Sequence, residues 1–175
     1  MPAGLIRLKD CGIATHPMIT GEDSLCTTAG KINFSDQCAI RVGVALSACG
    51  VNVANIPGAC HCWHHKKSAS HVLAAEELAN GLTKYPIAGL GKVQKIDPSK
   101  FKNELAVHKD IIFFKDYWRR NGESFRNRSG DHIDLWNRSR LTDWFTRVRI
   151  QAGFSWEGRF SDYSKSKEIW FWKVL

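Results

Sequence analysis

The chain has 175 residues, of which 43% are hydrophobic and 11% aromatic, and it carries a net charge of +8 at pH 7. This composition excludes a disordered chain and suffices for one domain with its own hydrophobic core, which we expect to span residues 1–175. The basic charge favours an anionic partner, such as nucleic acid, acidic lipid or an anionic cell-wall polymer, without choosing among them.

The sequence lacks the segments that would place it in a membrane. No apolar run approaches the roughly 20 residues of a transmembrane helix. The first residues also lack the charged start, apolar stretch and small-residue cleavage site of a signal peptide. We therefore expect no membrane insertion. If the protein acts outside the cytoplasm, we expect export by a route that does not read signal peptides.

After an irregular lead-in over residues 1–30, the first clear pattern is a helix over about 36–49. Ser35 or Asp36 can cap its first amides, and Gly50 is a typical residue to end it. Its apolar positions follow helical spacing and form one buried face: Ile40, Val44 and Leu46–Ala48.

Cys38 lies in the first turn of this predicted helix. Unpaired backbone N–H groups and the positive end of the helix dipole favour an anion there, so the position favours the thiolate form of a cysteine. A cysteine in a helix is more often a small buried hydrophobic residue. Its place at the helix start is what makes Cys38 a candidate nucleophile.

The chain has six cysteines, at irregular spacing. A protein of this length does not need disulfides, and we expect Cys11, Cys26 and Cys49 to be free thiols. The run Cys60–His65 includes Cys60, Cys62, His64 and His65, which could capture a metal ion. Zinc ligands are usually spaced differently, however, and no second ligand pair follows at a suitable distance. A polar loop is the favoured interpretation, and no metal is expected.

Further along the chain, helical spacing predicts a second helix from Ser70 to about Leu82, capped by Ser68 or Ser70, and a short one from Asp97 to about Leu105. Strands follow: residues 110–118 contain the apolar run Ile111–Phe114, and residues 130–137 alternate in character. We also predict a short helix at Thr142–Val148 and aromatic strands at Phe154–Phe160 and Ile169–Val174. Helices first and strands afterwards are typical of an α+β fold.

His132 is the candidate base for Cys38. It shares one face of its predicted strand with Asp134 and Trp136, while Ile133 and Leu135 occupy the other face. Asp134 projects beside it, roughly 6–7 Å away at Cα, which makes a good hydrogen bond to Nδ1 awkward. Asp143, from the next predicted element, is the alternative carboxylate. Convergence of a thiolate, an imidazole and a carboxylate would support nucleophilic catalysis.

Two motifs resemble one known family. Asp36–Arg41, preceded by Gly30–Asn33, resembles the nucleophile region of type VI secretion amidase effectors of family 4. The run His132–Asn137 with Asp143 downstream resembles the family's base and acid region. The likeness extends over about residues 28–174 and includes two further strands, Ile111–Lys115 and Glu168–Trp172.

The resemblance implies a papain-like, NlpC/P60-related fold with N-terminal helices on an antiparallel sheet. It implies Cys38 as nucleophile, His132 as base and Asp143 as the residue that orients the imidazole, without metal or cofactor. The substrate would be the peptidoglycan stem peptide, cut between D-glutamate and meso-diaminopimelate in the periplasm of target bacteria. Secretion machinery and a cognate immunity protein would be its partners.

The chain departs from the family at one point. Some relatives carry a cysteine pair around the acid, where this chain has Leu141 and Phe145, so we expect no redox control through such a pair.

Two other functions stay open on the sequence. A transacylase or deamidase could use the same three residues. A basic, non-catalytic protein that binds nucleic acid or cell wall is suggested by the arginines of the second half, which are interleaved with tryptophans. Against nucleic acid, the sequence has no recognised nucleic-acid motif, and this function would leave Cys38 and His132 without a role.

Overall fold

The computed structural model describes residues 8, 11, 24–118, 122–124, 129–138, 141 and 163–175. The helices and strands follow one another along the chain in this order: β1 (Thr27–Thr28), β2 (Lys31–Ile32), α1 (Cys38–Ala48), α2 (Ala75–Lys84), β3 (Leu90–Ile96), α3 (Phe101–Glu104), β4 (Lys109–Trp118), β5 (Gly130–Asn137) and β6 (Glu168–Val174). Single-turn 3₁₀ helices are found at Val53–Asn55, Lys67–Ala69 and Tyr163–Lys165.

The main sheet has the strand order β3-β6-β4-β5, and every adjacent pair is antiparallel. Strand β4 lies inside the sheet, and its residues 110–114 are buried. The register places Phe114 opposite His132 of β5 and Ile112 opposite Phe171 of β6. Helices followed by an antiparallel sheet confirm the predicted α+β class.

Each face of the sheet carries its own hydrophobic core, because successive side chains of a strand point to opposite sides. Ile111 and Phe113 of β4 belong to the core beneath the helices, together with Ile133 and Leu135 of β5. The opposite face has a second core, which is rich in aromatic residues: Phe101, Phe114, Trp136, Tyr163 and Phe171. Helix α1 packs against β5 through the first core.

The strands predicted at 110–118, 130–137 and 169–174 are confirmed as β4, β5 and β6. Strand β3 was not predicted, because its sequence has two lysines and a glutamine and few apolar residues. It pairs with β6 on one side only, and its residues are exposed or half-buried. The predicted helix Thr142–Val148 and strand Phe154–Phe160 lie outside the described residues.

Helix α1 confirms the helix predicted over about 36–49 but begins two residues later, at Cys38 itself. The predicted caps Ser35 and Asp36 are wrong. Gln37 occupies the N-cap position and makes no side-chain cap. The end is as predicted: Gly50 adopts φ +84° just past the last turn, a conformation that glycine tolerates without strain.

The other two helices also begin later than predicted. Helix α2 starts at Ala75 with Ala74 as its N-cap, because the chain over Lys67–Ala69 forms a separate 3₁₀ turn. Helix α3 starts at Phe101, since the Asp97 carboxylate accepts the backbone N–H and the hydroxyl of Ser99 in a local turn instead. In the described ranges, no helix is both long enough and apolar enough to cross a membrane.

The prediction of free thiols at Cys11 and Cys49 is wrong, because these two residues form a disulfide. Cys49 is the C-cap residue of α1 and is buried. The bridge therefore ties the end of α1 to the N-terminal part of the chain. Cys26, Cys38, Cys60 and Cys62 are free cysteines. The pairing was missed because the two residues are 38 positions apart and only the fold brings them together.

The double variant Cys11→Ser/Cys49→Ser is expected to unfold more easily. A cross-link over 38 residues removes loop-closure entropy from the unfolded chain, and its loss costs about 2–4 kcal/mol of unfolding free energy. Urea denaturation measures this change. Cys60→Ser is the matched control, because Cys60 is a free, exposed cysteine, and it should stay within about 0.5 kcal/mol of the wild type. Equal stability of the double variant and the control would contradict a structural role for the disulfide.

Candidate active site

Helix α1 presents Cys38 as its first residue, and the predicted position in the first turn is confirmed. The preceding residue, Gln37, is buried and turns its amide away from the helix amides. Its Oε1 accepts the Cys26 backbone N–H at 3.1 Å, and its Nε2 donates to the Phe34 carbonyl at 3.1 Å. The first amides of α1 therefore receive no side-chain cap from this residue, which suits a position where charge must be stabilised.

Strand β5, an edge strand of the main sheet, presents His132 beside Phe114 of β4. The imidazole lies on the face opposite to the core beneath α1, among the aromatic rings of Phe114, Tyr117 and Tyr163, at centroid distances of 5.9–6.4 Å. The Cys38 thiol is a hydrogen-bond partner of this imidazole. The structure thus brings together two of the three residues predicted for catalysis, 94 positions apart in the chain.

A carboxylate also contacts the imidazole, and it belongs to Asp134. The Nε2–H of His132 donates to Asp134 Oδ2 at 3.2 Å, while Asp134 Oδ1 accepts the Leu135 backbone N–H at 2.7 Å. Asp134, two positions along the strand, therefore does reach the His132 ring. It contacts Nε2, whereas the strand geometry disfavours only a bond to Nδ1. With Nε2 engaged, Nδ1 is the ring nitrogen that can face the thiol.

The environment of His132 favours its charged form. Burial lowers the pKa of His132, but the interactions with Tyr163, the Asp134 carboxylate and the Cys38 thiol more than offset this, so its pKa lies well above the ordinary value. A protonated imidazole beside a cysteine is the partner that a thiolate requires.

Tyr117 and Tyr163 are site residues that the sequence did not predict. Their rings stack with centroids 4.8 Å apart, and their hydroxyls are hydrogen-bonded to each other. Burial raises the pKa of Tyr117, so its hydroxyl keeps its proton over the physiological range. Tyr117 follows the apolar run of β4 by a few residues, but nothing in that run distinguishes a tyrosine at the site from one in the core.

Asp143, the predicted third residue, lies outside the described residues, as does Phe145. Leu141 is described and is buried in the aromatic core.

A second group of polar side chains lies apart from Cys38 and His132. The ligand atoms of Cys26, Cys62, His65 and His71 all lie within 4.8 Å of one another, close enough to hold one metal ion. Cys62 and His65 belong to the run Cys60–His65, whose sequence is compatible with metal capture, whereas Cys60 and His64 do not join the group. The second ligand pair, which was not found by spacing, comes from Cys26 before this run and His71 after it.

Comparison with known protein families identifies the class of protein to which the chain belongs. Residues 34–172 match the family model of the type VI secretion system (T6SS) amidase effectors, within a chain of 175 residues. The particular family is amidase effector protein 4, Tae4, and the chain belongs to it. Members of this family are effectors that act on peptidoglycan, as the resemblance of the two motifs implied. No curated protein matches the chain.

We expect Asp134→Asn to lower the pKa of His132, because an amide no longer stabilises the imidazolium. An NMR pH titration of the His132 ring protons, assigned with His132→Gln, measures this in a Cys38→Ala background that removes the thiol.

The raised pKa of His132 should also make the unfolding free energy depend on pH. A raised folded-state pKa stabilises the fold below the unfolded value of about 6.5, and this contribution is lost as pH rises through the folded pKa. Between mildly acidic and alkaline pH, the unfolding free energy should therefore fall less in Asp134→Asn than in the protein that keeps Asp134. An unchanged His132 titration in Asp134→Asn would contradict the assigned role of this contact.

Proposed function

We propose that the protein is a cysteine amidase that cuts the bond between D-glutamate and meso-diaminopimelate in peptidoglycan stem peptides. The observation that carries this proposal is the hydrogen-bonded pair of Cys38, at the start of α1, and His132, on β5. Membership of the amidase effector family supplies the substrate class.

In the proposed reaction, the Cys38 thiolate attacks the carbonyl carbon of D-glutamate, and the electron pair moves to the carbonyl oxygen. The backbone N–H of Cys38 and a neighbouring amide at the helix start would stabilise this oxyanion. The C–N bond then breaks, and His132 gives its proton to the departing amine of diaminopimelate. Water then attacks the thioester carbonyl and gives a proton to His132, and the C–S bond breaks to restore the Cys38 thiolate beside a protonated His132. These steps use protein groups only.

For the third residue we retain Asp143, on the family's motif. Because Nδ1 faces the thiol, Asp143 would orient His132 through Nε2, the nitrogen that also contacts Asp134. A papain-like arrangement within a single domain is consistent with a helix N-terminus facing an antiparallel sheet.

The net charge of +8 supports an acidic substrate, because stem peptides carry free carboxylates. For an effector of this family we further infer delivery without a signal peptide, action in the periplasm of the target cell, and a cognate immunity protein that covers the site.

Digestion of purified sacculi tests the proposal. The wild type should release fragments with new termini at the D-glutamate–diaminopimelate bond, identified by mass. Cys38→Ala should lower the rate by about 10⁴-fold or more, because it removes the nucleophile. Cys60→Ser, which changes a free cysteine outside the site, should keep the wild-type rate. Circular dichroism of each variant shows whether the fold is kept.

The same assay separates the alternatives. Products carrying an added amine in place of water would identify a transacylase, and release of ammonia a deamidase. Salt-sensitive nucleic-acid binding without cleavage would identify a binding protein. Equal digestion by Cys38→Ala and the wild type would overturn the mechanism.

The two carboxylates can be ranked in this assay. We expect Asp143→Asn and Asp134→Asn both to lower kcat, with the larger fall, more than about tenfold, in Asp143→Asn. A wild-type kcat in Asp143→Asn would transfer the orienting role to Asp134.

A further inference from the structure

We propose that Cys26, Cys62, His65 and His71 bind one zinc ion in a closed structural site. These four residues form the cysteine–histidine cluster, which contains neither Cys38 nor His132. They come from three parts of the chain: the residue before β1, the loop that precedes the Lys67–Ala69 turn, and the segment between that turn and α2. Two thiolates and two imidazoles are a common ligand set of structural zinc.

The distances within the cluster agree with a tetrahedral ion. With Zn–S of about 2.3 Å and Zn–N of about 2.0–2.1 Å, tetrahedral geometry separates two sulfurs by about 3.8 Å and a sulfur from a nitrogen by about 3.6 Å. The two Sγ atoms are 3.4 Å apart, and His65 Nδ1 lies 3.5 Å from Cys26 Sγ and 3.4 Å from Cys62 Sγ. Shifts of a few tenths of an ångström would complete the geometry.

His65 is oriented as a ligand. Its Nε2 lies 3.1 Å from the Thr27 carbonyl oxygen, which can only accept, so Nε2 carries the proton. Nδ1 of the neutral ring is then unprotonated and turns its lone pair towards the two sulfurs. A backbone carbonyl on the outer nitrogen is the usual support of a metal-bound histidine.

His71 has a buried nitrogen without a partner. The residue is 9% exposed, and its Nδ1 makes no hydrogen bond within the described residues. Its ring meets the His65 ring edge-on, with centroids 4.7 Å apart. Burying an imidazole without polar partners is unfavourable, and coordination of this ring would supply one.

Both sulfurs accept N–H groups from outside the ligand set. The His64 backbone N–H donates to Cys62 Sγ at 3.3 Å, and Asn33 Nδ2 donates to Cys26 Sγ at 3.6 Å. Such donors stabilise metal-bound thiolates. Because all four ligands are protein side chains and three of them are buried, no coordination position is left for substrate, which makes the site structural.

An ion here would fix the segment in front of the nucleophile helix. Cys26 is held by the side chain of Gln37, the residue directly before Cys38. On the other side, the Cys62 backbone N–H donates to the His71 carbonyl at 2.8 Å. Gly43 of α1 lies so close to the Ser70 carbonyl that a side chain would collide with it. The cluster thus joins the start and the middle of α1 to the neighbouring loops.

Metal analysis of the whole protein tests the site, in a Cys38→Ala background so that the catalytic thiol cannot bind metal. Protein folded with zinc under anaerobic conditions, then dialysed, should hold close to one zinc per chain by mass spectrometry of the elements. Cys62→Ser and His71→Ala should reduce this ratio to near zero. Cys60→Ser is the matched control, a free cysteine two positions from Cys62 and outside the cluster, and should keep the full ratio.

Cobalt(II) provides a readout that leaves all four proposed ligands unchanged. Cobalt added to the metal-free Cys38→Ala protein should give the intense visible bands of tetrahedral coordination and a thiolate-to-cobalt charge-transfer band. Zinc should then remove both signals.

Three results would overturn the proposal: no stoichiometric zinc together with no tetrahedral cobalt spectrum, equal loss of zinc in Cys60→Ser and Cys62→Ser, or a Cys26–Cys62 disulfide in protein folded with zinc. None of these measurements uses peptidoglycan, so their outcome is independent of the amidase proposal.

Discussion

The packing of α1 against β5 is the constraint on which the site depends. Ala39, Val42 and Leu46 of the helix share one buried core with Ile133 and Leu135 of the strand. A fully buried valine, isoleucine or leucine side chain contributes about 1.5–3 kcal/mol, so the helix is held firmly on the sheet. Cys38 begins this helix and His132 precedes Ile133 on the strand, so the packing fixes the two backbones that carry the hydrogen-bonded thiol and imidazole.

The charged form of the His132 imidazole is stabilised although burial disfavours it. Burial among Phe114, Tyr117 and Tyr163 disfavours a charged ring, and removing an ion from water without a partner costs several kcal/mol. The electrostatic interaction with Tyr163 and the hydrogen bonds to the Asp134 carboxylate and the Cys38 thiol reverse this, and the pKa of His132 is raised. Partial exclusion of water also strengthens the interaction between the charged groups. The partners of the ring therefore outweigh its burial and favour an imidazolium next to the thiol.

The sequence predicted those parts of the molecule that local pattern controls. The apolar run of β4, the alternation of β5 and the aromatic run of β6 were recognised because burial alone explains them. Strand β3, in contrast, forms through pairing with β6, which its lysine-rich sequence does not reveal. The contacts between distant residues were also missed: Cys11 with Cys49, and Cys26 with Cys62. The predicted first residues of the helices were wrong for another reason. Serine and aspartate favour turns as well as helix caps, and the Gln37 side chain, at the N-cap of α1, bonds to Cys26 instead of to the helix amides.

The central claim is that His132 activates Cys38, and the alkylation rate of individual cysteines by iodoacetamide tests it most directly. Peptide mass spectrometry can follow Cys38 and Cys60 in one sample at mildly acidic pH, where an ordinary thiol with a pKa of about 8.5 is almost fully protonated. The account predicts that Cys38 reacts faster than Cys60 although Cys60 is more exposed, and that His132→Ala removes the difference. If Cys38 reacts no faster than Cys60 in the wild type, or equally fast in His132→Ala, the pair does not activate the thiol and the account is contradicted.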